Sequence, residues 1–143
     1  MTDHSGRIYC ISPLDKSVEI IAYFYDDGLE KDYQLNGVVL TPTGKLIVGS
    51  HMPPKILEVD PDTREWSVIW ENKICGVLRN PEHVAIDFQG NIYILDSDYM
   101  AECGVPTPGL YVLKKGSTNL ETLISGGLGG VVDILLTPFT GYN

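Results

Sequence analysis

One phrase occurs twice in this 143-residue chain, and it limits what the chain can fold into. The first copy is Asn36-Gly-Val-Val-Leu-Thr-Pro-Thr-Gly-Lys-Leu-Ile-Val-Gly-Ser50, and the second is Glu82-His-Val-Ala-Ile-Asp-Phe-Gln-Gly-Asn-Ile-Tyr-Ile-Leu-Asp96. Each copy is a polar residue, a short apolar run, a turn closing on glycine, and a second apolar run. Gly44 and Gly90 hold the same place in the two copies, 46 residues apart. Short strands repeating at this period form stacked four-stranded units, the blades of a β-propeller.

The rest of the chain fits that ruler. Strands are expected over 7–13, 17–24, 37–41, 45–49, 55–59 and 65–70, then near 83–87, 91–95, 109–113 and 120–124. Period-2 alternation supports 7–13, and over 17–24, where a helix is the alternative, the β-branched and aromatic content favours a strand. Residues 1–6 read as a frayed start or loop end, and 25–34 as a polar connection. Ile8, Ile11, Pro13 and Val18 fall on Ile56, Val59, Pro61 and Trp66 at a constant offset of 48. The expected fold class is therefore all-β, a propeller segment of about three four-stranded blades. It comprises a half blade over 7–24, blades over 36–70 and 82–124, and the start of another over 132–143. Complete propellers have about four to eight blades. Either the chain is a fragment of a longer one, which the short end after Gly141 favours, or two copies form a homodimer closing a six-bladed ring.

Fifteen glycines and nine prolines suit a turn-rich fold. The net charge of −9 argues against nucleic-acid and anionic-membrane partners, because phosphate contacts require Lys and Arg. Three scattered cysteines, Cys10, Cys75 and Cys103, without a Cys-x-x-Cys pair, point to free thiols and a cytoplasmic location. The N-terminus has no basic stretch leading into an apolar one, and no apolar run reaches membrane-spanning length.

In a propeller the innermost strand of each blade lines the central channel, and the residue just before it faces the channel mouth. Asn36 and Glu82 stand there, eight residues before their turn glycines, as does Asp133 before Gly141. Three oxygen-bearing side chains from neighbouring blades suit a hard cation such as Ca²⁺, which takes roughly six to eight oxygens. Aligning Leu-Thr-Pro at 40–42 with 136–138 would instead place Val132 opposite Asn36. Asn36 also reads as a turn residue before Gly37, and Glu82 as a solvated carboxylate. Asp96 and Asp98 end an inner strand beside the long loop 97–108 and are acid–base candidates or strand-end turn residues. His51 and His83, at blade mouths, are candidates for substrate contact or partly exposed polar residues. The three histidines have no zinc spacing, and no nucleotide-binding or nucleophile-elbow motif occurs.

Asn36 to Met52, with its Gly49-Ser50-His51-Met52 end, resembles the six-bladed propellers of the senescence marker protein, gluconolactonase and regucalcin family. Pro81-Glu82-His83 followed by Asp87, Gly90 and Asn91-Ile-Tyr-Ile resembles that family's Pro-Asp-Gly blade, and Asp96-Ser97 an Asp-Ser strand end. The resemblance spans about 36–124. It implies metal-dependent hydrolysis of a small-molecule substrate such as a sugar lactone, with a divalent cation, Ca²⁺ first, held by Asn36 and Glu82. Asp133 would be a ligand or the base. The family's first-blade Glu ligand has no counterpart here. NHL-repeat and strictosidine-synthase-like propellers share the hairpin phrase, and they imply the alternative, a non-catalytic scaffold binding a protein or small ligand.

Overall fold

The structure, a computed structural model, describes residues 1–26, 31–71, 78–97, 109–126, 128, 134 and 136. Among them are β1 (Arg7–Ile11), β2 (Val18–Tyr23), β3 (Tyr25–Asp26), β4 (Lys31–Asp32), β5 (Gln34–Leu40), β6 (Leu46–Met52), β7 (Lys55–Val59), β8 (Trp66–Glu71), β9 (Pro81–Ile86), β10 (Ile92–Asp96), β11 (Gly109–Leu113) and β12 (Leu120–Ser125). No helix occurs among the described residues, and none therefore is long and apolar enough to cross a membrane. β5 to β8 form one four-stranded antiparallel sheet in chain order, and β9 to β12 form a second. β1 and β2 pair as a hairpin, and β3–β4 is a small ribbon.

The all-β propeller segment expected from the repeat is thus present. The expected start of a blade at 132–143 falls almost wholly outside the described residues.

The repeat is visible atom by atom. Gly44 N–H bonds Thr41 C=O and Gly90 N–H bonds Asp87 C=O, both at 3.0 Å. These glycines have φ of 86° and 90°, a left-handed conformation that costs a side-chain-bearing residue energy. At the offset of 48, β1–β2 bulges between Ile8 and Tyr9, and β7–β8 bulges between Ile56 and Leu57. Lys16 (φ 61°) and Arg64 (φ 64°) take the same left-handed place in the two turns.

Packing explains why the middle strands lack a polar face. Neighbouring residues on a strand point to opposite faces, and both faces of the β5–β8 sheet are covered. Val48, Leu57 and Val59 pack toward the first hairpin, against Ile8, Ala22, Phe24, Tyr33 and Leu35. Ile47 and Ile56 pack toward the second sheet, against Leu78, Val84, Ile92, Ile94, Tyr111 and Leu113. Burial declines outward, so most of β8 and β12 is exposed.

Four details differ from the sequence expectation. β5 begins at Gln34, and β6 runs to Met52. The connection 25–34 contains the β3–β4 ribbon. Residues 1–3 are not frayed: Thr2 bridges Ile8, and Tyr9 N–H bonds Met1 C=O at 2.7 Å. The Asp3 carboxylate accepts the N–H groups of Ser5 and Arg7, each at 3.0 Å, which closes this loop.

Candidate functional site

The site is set by how closely β5 approaches β9. A Cβ placed on Gly37 would stand 2.8 Å from the His83 Cα and 2.9 Å from the Val84 nitrogen. One on Gly49 would stand 2.6 Å from the Pro81 carbonyl oxygen. Any larger residue at either place would push the sheets apart. Gly37 therefore serves close approach within a strand; it does not make Asn36 a turn residue. Asn36 and Glu82 lie inside β5 and β9 respectively, not just before them.

That approach joins Asn36 and Glu82 through Asn80. Asn36 Nδ2 donates to Asn80 Oδ1 at 2.7 Å. Asn80 Nδ2 donates to Glu82 Oε2 at 2.9 Å and to Ser97 Oγ at 3.0 Å. Ser97 Oγ donates to the same Glu82 oxygen at 2.6 Å. On the other side, His4 Nε2 lies 3.1 Å from Asn36 Oδ1, and the Thr2 hydroxyl donates to the Asn36 carbonyl. An open cleft of about 340 Å³ lies here, lined by Thr2, Asp3, His4, Asn36, Glu82 and His83.

Asp96 sits behind this network, 2% exposed. Its Oδ2 accepts the backbone N–H groups of Arg79 and Asn80. The carboxylate thereby fixes the 79–80 turn and the side chain of Asn80 with it. Burial, and then the Asp96 charge, push the Tyr111 phenol above its ordinary pKa. Burial acts to raise Asp3 as well, but hydrogen bonds from Ser5, Tyr9 and the Arg7 backbone outweigh it and hold its pKa at about 2. Asp3 is therefore a fixed negative charge at the cleft.

Of the residues singled out from sequence, Asn36, Glu82 and His83 come together at this cleft. His51 is half-buried on β6 outside it, next to Ser50, which pairs with Leu35. Asp98 and Asp133 lie outside the described residues, as do Cys75 and Cys103. Sequence reasoning missed Asn80, Ser97, Thr2 and His4. The Asn80-Pro81 pair signalled only a turn, and nothing local marks residues 2–4 as reaching β5.

Among the described residues, no three His, Cys, Asp or Glu side chains gather to hold a metal ion. Two oxygens do suit a hard cation. Glu82 Oε1 accepts no hydrogen bond among these residues, both donors to Glu82 being on Oε2, and Asn36 Oδ1 meets only His4. They are a partial donor set, short of a full shell.

Stacked four-stranded antiparallel sheets with a polar network where their innermost strands meet define a segment of a β-propeller. No protein-family model matches the chain, and no curated protein matches it. Among solved structures it is similar to the X-ray structure of a “putative gluconolactonase”, with a TM-score of 0.62 and 20% identity. The match covers 85% of this chain and 42% of that one, so this chain spans under half the length of that structure. The fold of a gluconolactonase-like propeller is thereby shown, in agreement with the resemblance carried by the repeated phrase.

Proposed function

We propose that the propeller to which this segment contributes is a divalent-cation-dependent hydrolase of small cyclic esters, sugar lactones first. Asn36 and Glu82 are two of the cation's oxygen ligands, and Ca²⁺ is the first cation to try. The observation that carries this reading is that Asn36 and Glu82, from the innermost strands of adjacent sheets and joined through Asn80, line one open polar cleft.

A cation bound there supplies Lewis-acid polarisation of the lactone carbonyl. The chain supplies the rest. Asn80 and Ser97 hold one carboxylate oxygen of Glu82 and leave the other without a donor among the described residues. His4 and His83 offer ring nitrogens to sugar hydroxyls. Asp96 acts through Asn80 as a positioning residue. Asp98 is the carboxylate proposed for proton transfer to and from water, and Asp133 either shares that role or is the third ligand in the completed shell.

One observation favours a second reading, a binding scaffold of the NHL kind. Asn36 and Glu82 are already joined in a hydrogen-bonded network that needs no cation to satisfy its amide groups. Thermal unfolding during titration with Ca²⁺, Mg²⁺, Mn²⁺ and Zn²⁺ separates the two. A cation at about a hundredfold excess over its dissociation constant stabilises the native state by about 2.7 kcal/mol. The expected midpoint rise is lost in Glu82→Gln and Asn36→Ala. No rise with any of the four ions at millimolar concentration removes the metalloenzyme and leaves the scaffold.

A further inference from the structure

At the other ends of β5 and β9 a second cleft of about 450 Å³ opens between the two sheets. Glu82 and Ile86 are four residues apart on β9, on the order of 14 Å, so this cleft is separate from the polar network. Its floor is apolar: Ile47, Ile69, Ile86, Ile92 and Leu113. The volume is that of an ordinary small-molecule site, about 300–1,000 Å³.

The mouth is built by turns that fix one another. Asp87 Oδ1 accepts the N–H groups of Gln89 at 2.9 Å and Asn91 at 2.8 Å, and Asn91 Oδ1 accepts the N–H of Lys115 at 3.1 Å. This turn leaves Phe88 standing at the mouth with 90% of its surface exposed. Phe88 thereby extends the apolar lining of the cleft out to its rim.

The charges at the rim select the ligand. Three charged residues line the cleft: Glu58, Lys114 and Lys115. Glu58 is paired with Lys45 and Lys114 with Glu121, each at 2.8 Å. Lys115 forms no ion pair among the described residues, and its stem lies against Gly90, where a Cβ would meet its Cδ at 3.0 Å. Gly90 thus lets the Lys115 stem cross the turn, and Lys115 lines the apolar cavity with no ion-pair partner among the described residues.

We propose that this cleft binds a small apolar carboxylic acid, a medium-chain or arylalkyl carboxylate. The hydrocarbon occupies the isoleucine floor under Phe88, and the carboxylate meets Lys115. The proposal is independent of any cation at Asn36 and Glu82.

Octanoate titration of the whole chain, followed by the methyl NMR signals of its isoleucines, tests it, with 1-octanol as the uncharged control. Octanoate should shift the Ile47, Ile86 and Ile92 methyls saturably and leave Ile8 and Ile11 in place. Lys115→Gln, an exposed substitution that spares the fold, should weaken octanoate about fivefold and leave octanol unchanged. Phe88→Ser should weaken both. Unmoved floor methyls in the unaltered chain at millimolar octanoate overturn the proposal. So does equal octanoate affinity with and without Lys115.

Discussion

The first hairpin, β1–β2, and the outer hairpin of the first complete sheet, β7–β8, are nearly the same object locally. They share the bulge, the left-handed turn residue and the register at an offset of 48. Their surroundings differ. Ile11 and Val59 hold equivalent places, yet Ile11 is 49% exposed and Val59 is 0% exposed. Val59 faces the first hairpin and packs with Phe24 and Tyr33. Ile11 belongs to the hairpin's other face, which no described sheet covers. Backbone shape is thus set within some twenty residues, while burial is set by which sheet stands alongside.

The largest test of that contrast is a charge at both places. Val59→Asp should cost on the order of 4 kcal/mol by urea unfolding, because it buries an unpaired carboxylate. Ile11→Asp should stay within about 0.5 kcal/mol, as surface changes do. Equal losses would break the contrast and mean that the Ile11 face is covered in solution.

Next come two glycines with different duties. Gly37→Ala should cost about 1–3 kcal/mol, because its Cβ meets the backbone of β9. It should also separate Asn36 from Asn80, seen as a change in the Asn80 side-chain amide signals. Gly44→Ala meets nothing within 4 Å but must keep φ near 86°. It should cost about 1–2 kcal/mol and leave those signals alone. Movement of the Asn80 signals in Gly44→Ala would contradict this division of roles.

Acid should act on the first hairpin in particular, where Asp3 closes the loop by accepting from Ser5, Arg7 and Tyr9. Its counterpart at the offset of 48 is His51. The folded pKa of Asp3, about 2, lies below the unfolded value of about 3.9. Its contribution is therefore complete above pH 4 and is lost as pH falls through 2. Stability measured from pH 5 down to pH 2 should fall less steeply in Asp3→Asn. Identical slopes would remove Asp3 as the cause.

The smallest expected effects are gains from Lys16→Gly and Arg64→Gly. Each should amount to less than about 1 kcal/mol, because glycine relieves the left-handed strain at an entropic cost. The gain from Arg64→Gly should be the smaller, since it also removes the ion pair that Arg64 makes with Glu19. A larger gain at Arg64 than at Lys16 would show that this exposed pair adds nothing to the turn.

Much of the fold was legible in advance. The turn glycines, the alternating runs and the 46- and 48-residue offsets are short-range signals, and the strands follow them within a few residues. Less of the site was legible. Spacing brought Asn36 and Glu82 together, but as strand-preceding residues. Nothing in the sequence showed that Asn80 joins them or that Asp96 turns inward to hold it. Asn80 looks like an ordinary Asn-Pro turn, because its bond to Asn36 crosses 44 residues.

By itself, then, the sequence determined the β class, the period, the turns and which strands pair within each sheet. Those depend on backbone preferences and hydrogen bonds between neighbours in the chain. Tertiary structure alone decided three things. It fixed which faces are buried, since that depends on an adjacent sheet. It fixed the network from His4 through Asn36 and Asn80 to Ser97, since Gly37 and Gly49 let two backbones meet. And it left Lys115 beside an apolar cleft with no ion-pair partner among the described residues, where Glu58 pairs with Lys45 and Glu121 with Lys114. The repeated phrase measures out the molecule, and the contacts between its copies make the candidate sites.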